Sequence, residues 1–175
     1  MAYCFHCGTE LETKTLENIL RLVCPACGWV HYQQLKVSAA GLIEVDGSLL
    51  LVRRNTEPWL GSWYLPAGYV EADEDPSLAA AREVREETGL IVQPESLFGT
   101  YFFDDDPRGN GLLLVYLCHV LVGEITINHE VTAAGFFHPA GLPEQLTGAG
   151  HDRAIKDWAA RQEVWQGQWR REIKH

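Results

Sequence analysis

Three glutamates, Glu83, Glu86 and Glu87, stand at i, i+3 and i+4 in the stretch GYVEADEDPSLAAAREVREETGL, residues 68 to 90, which holds seven Asp and Glu residues. On a helix that spacing places three carboxylates on one face. Like charges so placed oppose one another by roughly 0.2–0.5 kcal/mol per pair, so something must offset them. Arg82, four residues before Glu86, can screen one carboxylate and hold its rotamer, whereas Arg85 falls on another face and meets solvent. Hard divalent cations that prefer oxygen, Mg²⁺ or Mn²⁺, would supply the remaining compensation. On the charges alone, a merely solvated acidic face fits equally well.

A second set of candidate ligands lies at the start of the chain. Cys4-x2-Cys7 and Cys24-x2-Cys27 are each followed by a glycine, Gly8 or Gly28. Two thiolates at this spacing can bind one ion while the backbone turns through the glycine, and two such pairs complete a tetrahedral Zn²⁺ site. Two disulfides are the competing reading. It is disfavoured because MAYCFHCGTE has neither the basic nor the apolar region of an export leader, which predicts a cytoplasmic protein. His6 and His31 are close in sequence, but four thiolates already fill a tetrahedron. Cys118, in the apolar run GLLLVYLCHVLV, reads as an inert buried thiol.

These groups need elements to hold them. Asp75-Pro76 is an N-cap and first-turn signal and Gly89 a stop, so a helix of about thirteen residues fits between them, with Ala80 and Val84 on the flank towards a core. VSAAGLIEV and GSLLLVRRN, joined at Asp46-Gly47, read as a β-hairpin; IVQPESLFGTYFF and GLLLVYLCHVL read as further strands. GHDRAIKDWAARQ reads as a helix burying Ile155, Trp158 and Ala159. Residues 1–33 then form a metal-stapled ribbon, 36–165 a mixed α/β or α+β sandwich, and 166–175 a tail. Trp165 and Trp169, in polar company there, suggest a homodimer contact or a segment folded onto the body. The 175 residues suffice for one well-buried domain and a small appendage, and the net charge of −10 disfavours broad attachment to nucleic acid or anionic membrane. No apolar run is long enough to span a bilayer.

The wider spacing of the acidic segment is G-x5-E-x7-R-E-V-x-E-E-x-G-L, filled by Gly68, Glu74, Arg82, Glu83, Val84, Glu86, Glu87, Gly89 and Leu90. It resembles the Nudix box of the Nudix hydrolase superfamily at every fixed position, and the preceding LGSWYLPAG resembles that family's approach strand; the resemblance extends over residues 36 to 160. It implies an α/β fold, the Nudix α/β/α sandwich with a mixed sheet, here preceded by the zinc ribbon, and hydrolysis of a nucleoside diphosphate linked to another moiety. By the resemblance Glu86 and Glu87 are ligands of Mg²⁺ or Mn²⁺, Glu83 is a ligand or the base that deprotonates water, Arg82 orients the glutamates, and the carbonyl of Ala67 completes the metal site. Glu74 would brace the loop rather than touch metal.

Glu130, in NHEVTAAGFF, is the candidate for an additional ligand or base, with a surface glutamate as the alternative; Ala133 stands where many relatives have another glutamate. The run FDDDPRGNG offers Asp104 to Asp106 to metal or substrate, or is simply a turn. Trp59, Tyr32 and Phe103 are candidate stacking surfaces for a flat base, and of Arg53 and Arg54, adjacent on a strand, only one can face a phosphate; Arg53 is the expected contact. The ribbon resembles that of NADH, FAD and ADP-ribose pyrophosphatases, but the S-Q-P-W-P-F-P-x-S array of the NADH group is absent. ADP-ribose or a dinucleotide such as FAD, giving AMP, is therefore the expected substrate. A triphosphate-sanitising hydrolase and a nucleic-acid-binding ribbon with a sensor domain are the alternatives. The ribbon's basic residues, Lys14 and Arg21, are too few for a good reader of phosphate backbones.

Overall fold

Residues Met1–Gln34 form one compact unit and Leu35–His175 another. The structure, a computed structural model, describes residues 2–172, with side chains through 162. The expected contact through Trp165 and Trp169 lies outside the described side chains. In the first unit β1 (Glu12–Leu16), β2 (Ile19–Val23) and β3 (Val30–His31) make an antiparallel sheet in that order. Glu17 and Asn18, both at positive φ (52° and 65°), make the two-residue turn between β1 and β2, the geometry that matches strand twist. Among its described residues only Cys4, Val23 and Cys24 are buried.

The second unit has three layers. β4 (Lys36–Leu42) pairs in parallel with β10 (Gly111–Val122) and antiparallel with β8 (Ala67–Tyr69), and β9 (Ile91–Phe103) flanks β10, giving the sheet order β8-β4-β10-β9. A second sheet places β6 (Ser48–Arg54) between β5 (Glu44–Val45) and β11 (Val131–Phe137), with β7 (Trp63–Tyr64) also on β6. Alternate residues of the strands face opposite helices. Ala39 packs with Ala79 and Ala80, and Ile43, Leu50 and Cys118 with Val84, all on α1 (Pro76–Thr88). Ala40, Leu49, Leu51, Leu113 and Val115 pack instead with Ala154, Ile155 and Trp158 of α2 (His151–Glu172). This is the expected α/β/α sandwich with a mixed sheet.

α1 has the expected thirteen residues. Asp75 caps it by accepting from the Ser77 N–H at 2.8 Å, Pro76 fills the first turn, and Gly89, at φ 74°, turns the chain out. The expected long hairpin is corrected. Of the first hairpin segment, Glu44–Val45 forms the strand on β6, in register Glu44↔Leu49 and Val45↔Ser48 around Asp46-Gly47, with one further bond from the Leu50 N–H to the Ile43 carbonyl. The preceding strand passes to the other sheet at Leu42, because both of its edges are taken by β8 and β10. Pro94, which lacks an N–H, is tolerated in β9 because that strand lies at the sheet edge, beside a register shift at Leu117/Cys118. No described helix is long and apolar enough to cross a membrane.

Candidate active site and metal centres

α1 and β8 meet at Gly68. A Cβ there would collide with the Glu83 carboxylate, so glycine is what lets the strand backbone approach the helix at this point. Glu83 and Glu87 are both buried. Glu83 accepts from Arg82 Nη1 at 2.6 Å. Glu87 has both oxygens engaged, Oε1 by the Tyr64 hydroxyl at 2.6 Å and Oε2 by the Ala67 N–H at 3.1 Å. Burial raises the pKa of Glu83 against the opposing hydrogen bond from Arg82. Burial likewise pushes Glu87 up to about 8, outweighing its bonds from Tyr64 and Ala67.

Arg82 organises this face. Its Nε and Nη2 hold Glu74 at 2.8 and 2.9 Å, Nη2 also donates to the Tyr69 carbonyl at 3.0 Å, and Nη1 reaches Glu86 at 3.3 Å. Glu74 also accepts from the Glu71 N–H at 3.4 Å, tying the loop before α1 to the helix. The Arg82 hydrogen bonds hold the Glu74 carboxyl below the usual carboxylate range. The three carboxylates of α1 are not gathered at one point: Glu83 and Glu87 line a cavity of about 260 Å³, whereas the Glu86 side chain is 54% exposed beside Arg82. Ala67 lines the same cavity. Carboxylates, as hard oxygen donors, suit Mg²⁺ or Mn²⁺ better than softer metals.

Glu130, half exposed, also lines the cavity, and its charge adds to the upward shift of Glu83 and Glu87. Asp106 and Arg108 come from the loop between β9 and β10. Arg108 donates to Asp106 from Nη2 at 2.7 Å and Nε at 2.9 Å; Asp106 is buried, but these bonds outweigh desolvation and keep its pKa low. The loop is thus a turn that presents a guanidinium to the cavity. Asp105 accepts from the Ala149 N–H at 3.1 Å, pinning that loop to the segment before α2. Asp104 is exposed.

Trp59 and Phe103 both line the cavity, Phe103 as a core residue at 2% exposure. Tyr32 belongs to the first unit, with the Arg21 guanidinium 4.6 Å from its ring centroid. The expectation for Arg53 is corrected. Its Nε donates to the Gly61 carbonyl at 2.8 Å, and the cationic lining residue is its neighbour Arg54. Adjacent strand residues point to opposite faces, and in β6, where Leu49 to Val52 are all buried, no polar alternation marks which face is which. Two further lining residues, Tyr64 and His151, are not marked by the sequence. Tyr64 is one aromatic among several in SWYLPAG, and His151 resembles any polar residue at a helix start. No spacing signals either one.

The cysteines form a separate centre. The N–H of Cys4 bonds Thr9 O and that of Gly8 bonds Cys4 O, at 2.8 and 2.9 Å; the second pair repeats the pattern with Cys24 to Trp29 and Gly28 to Cys24, at 2.8 and 3.0 Å. All four Sγ atoms lie within 4.8 Å of one another, and among the described residues this is the only such group of three or more metal-type side chains. Sγ separations of 3.6 Å (Cys4–Cys27), 3.5 Å (Cys7–Cys24) and 3.7 Å (Cys7–Cys27) exceed the ~2.0 Å of a disulfide and approach the ~3.8 Å edge of a tetrahedron with ~2.3 Å Zn–S bonds. All four thiols are free. Cys118 is the expected buried thiol, its pKa raised to about 12 by burial.

Residues 32–159 match the NUDIX domain and residues 2–33 the Nudix N-terminal zinc ribbon. The chain is 38% identical to the ADP-ribose pyrophosphatase of Methanocaldococcus jannaschii over 128 residues, 73% of this chain and 75% of that one. It is 32% identical to the NAD-capped RNA hydrolase NudC of Stutzerimonas stutzeri over 142 residues, 81% of this chain, and spans 49% of that relative's length. A crystal structure of a NUDIX hydrolase from Nitrosomonas europaea superposes with a TM-score of 0.81 at 26% identity, covering 94% of this chain and 93% of that one. With its acidic helix set on a cavity of an α/β/α sandwich, the chain belongs to the Nudix family and is a pyrophosphohydrolase.

Proposed function

We propose that this enzyme cleaves the diphosphate of ADP-ribose or of a dinucleotide such as FAD, releasing AMP and the other phosphate. One observation carries the reading: two buried carboxylates, Glu83 and Glu87, share a cavity with two guanidinium groups, Arg54 and Arg108, and with the partly exposed ring of Trp59. The guanidinium groups hold the diphosphate, since planar forks match phosphate oxygens, and the Trp59 ring receives a base. The 38% identity to an ADP-ribose pyrophosphatase supports the same substrate class.

Glu83, Glu86, Glu87 and the carbonyl of Ala67 would hold Mg²⁺ or Mn²⁺, as hard oxygen donors suit these cations. The cation supplies charge neutralisation of the diphosphate oxygens and acidification of water. Arg82 fixes the rotamers of Glu83 and Glu86. Glu83 or Glu130 takes the proton as the water oxygen bonds to phosphorus, and the bridging P–O bond breaks with its electron pair leaving on the second phosphate. The four cysteines hold a structural Zn²⁺.

The test is a panel of ADP-ribose, FAD, NADH, diadenosine polyphosphates and nucleoside triphosphates with Mg²⁺ and Mn²⁺, ranked by kcat/KM. ADP-ribose or FAD should lead, and preference for a triphosphate over every diphosphate-linked compound would overturn the assignment. Glu86→Gln and Glu87→Gln should each lower turnover about a hundredfold or more with the fold intact, whereas near-normal turnover in both would remove the proposed metal site. The similarity to NudC supports a second reading, in which the diphosphate is that of an NAD cap on RNA. A short NAD-capped RNA therefore joins the panel. The ribbon offers little positive charge to an RNA chain, since Lys14 and Arg21 are its only basic residues and Lys14 lies 3.7 Å from Glu12.

A further inference from the structure

His151 is the first residue of α2, and its side chain lines the cavity that holds Glu83 and Glu87. Only 7% of the residue is exposed, and Nδ1 is buried without a hydrogen-bond partner. The Tyr64 ring lies edge-on to it at 5.5 Å, and the apolar residues Phe103 and Leu113 line the same cavity. A buried polar atom with no partner costs free energy that an aromatic or aliphatic side chain in the same wall would not incur. A residue serving only as packing is better made of carbon.

The backbone on either side of His151 is held in place. Asp105 accepts from the Ala149 N–H at 3.1 Å, the Asp152 N–H donates to the Thr147 carbonyl at 3.1 Å, and the Thr147 and Ser62 hydroxyls lie 2.6 Å apart. A half-turn about Cβ–Cγ exchanges Nδ1 with a ring carbon, and no protein partner at Nδ1 fixes that choice. Burial, with the charge of Arg54 adding to it, lowers the imidazole pKa to about 3. A neutral imidazole offers one donor and one acceptor. It suits an uncharged hydroxyl or base edge, while phosphates suit Arg54 and Arg108.

We propose that His151 is a specificity-determining residue which hydrogen-bonds an uncharged polar group of the substrate's nucleoside, completing a wall otherwise made of Tyr64, Phe103 and Leu113. The inference rests on the nucleotide-hydrolase reading above, and it says which end of the substrate this wall receives.

The experiment uses the full chain and compares wild type with His151→Phe and His151→Gln. AMP, GMP, CMP and UMP are titrated by calorimetry without divalent cation, and kcat and KM are then measured with Mg²⁺ for ADP-ribose, UDP-glucose and GDP-mannose. His151→Phe keeps a flat ring but no hydrogen bond. It should weaken binding of the preferred monophosphate about tenfold, raise KM by a similar factor with kcat nearly unchanged, and flatten the preference among nucleosides. His151→Gln should recover part of each. In wild type, the imidazole ¹⁵N resonances of His151 should move when the preferred monophosphate is added, a readout that needs no variant to fold. Unmoved resonances, unchanged monophosphate affinity and nucleoside preference in a folded His151→Phe, or no monophosphate binding by wild type would each overturn the inference. Failure of the substrate assignment looks different: triphosphates outrank every dinucleotide while His151→Phe still loses monophosphate affinity.

Discussion

Both oxygens of Glu87 are engaged, by the Tyr64 hydroxyl and the Ala67 N–H, so its carboxylate is oriented by the protein itself. Removing the hydroxyl frees one oxygen and the rotamer. Tyr64→Phe should weaken Mn²⁺ binding about 10–100-fold, as loss of a group that orients a metal ligand commonly does, with thermal stability little changed. Titration followed by Mn²⁺ paramagnetic resonance reads this directly, and wild-type affinity would show that Tyr64 does not position the ligand. His151 makes a prediction of opposite character. Its folded pKa lies near 3, against a reference of 6.5, because of burial and the Arg54 charge, with Asp152 on its own helix opposing and the Tyr64 ring against it. The unfolded chain therefore takes up a proton below about pH 6.5 that the folded chain refuses until about pH 3. Stability from this residue is complete above that window and is lost as pH falls through it, by about 3 kcal/mol at pH 4.5. Urea midpoints should fall more steeply between pH 6.5 and 4.5 in wild type than in His151→Phe; parallel curves would show that His151 protonates normally in the folded state.

α1 is the element on which the site depends, and its sequence carries its own boundaries. Asp75→Ala removes the bond to the Ser77 N–H and should lower stability by about 1 kcal/mol. Since it touches no cavity residue, kcat at a temperature well below the melting point should stay near wild type; a fall in turnover beyond the loss of folded protein would give the cap a further role. The caps, the carboxylate spacing and the glycines were legible in the sequence because each rests on local chemistry: a side chain bonding its own backbone, or a helical period of 3.6 residues. What was not legible depends on distant partners. The strand beginning at Lys36 pairs with β10, more than seventy residues later, rather than with its sequence neighbour, and no nearby residue records that choice. Arg54 rather than Arg53 lines the cavity because of which face of β6 looks inward, and a strand buried on both sides has lost the alternation that would say so. Glu86 shares the periodicity of Glu83 and Glu87, yet only those two are buried, because Arg82 holds Glu86 at the exposed margin.

The two units differ in what holds each of them together. Leu35–His175 contains clusters drawn from both sheets and both helices, with side chains as large as Trp158 and Tyr64 almost wholly buried. Full burial of such groups contributes roughly 1.5–3 kcal/mol each, enough together for a unit of this size to stand on its own packing. Met1–Gln34 buries only Cys4, Val23 and Cys24 among its described residues, and two of those three are metal-type ligands. Its sheet of three short strands cannot offset the conformational entropy of some thirty residues by burial alone. A bound Zn²⁺, which contributes about 10–16 kcal/mol in small zinc domains, would then be the dominant stabilising interaction of that unit. The intact protein should hold one zinc per chain, and a strong chelator at neutral pH should collapse the dispersion of backbone amide resonances from residues 2–34. Resonances from β4 to α2 should stay dispersed, and their thermal transition should remain cooperative. Cys24→Ser should reproduce the chelated spectrum without chelator. Dispersed ribbon resonances after complete zinc removal would mean that the sheet folds on its own, and unfolding of the second unit in the same step would mean that the metal supports the whole chain.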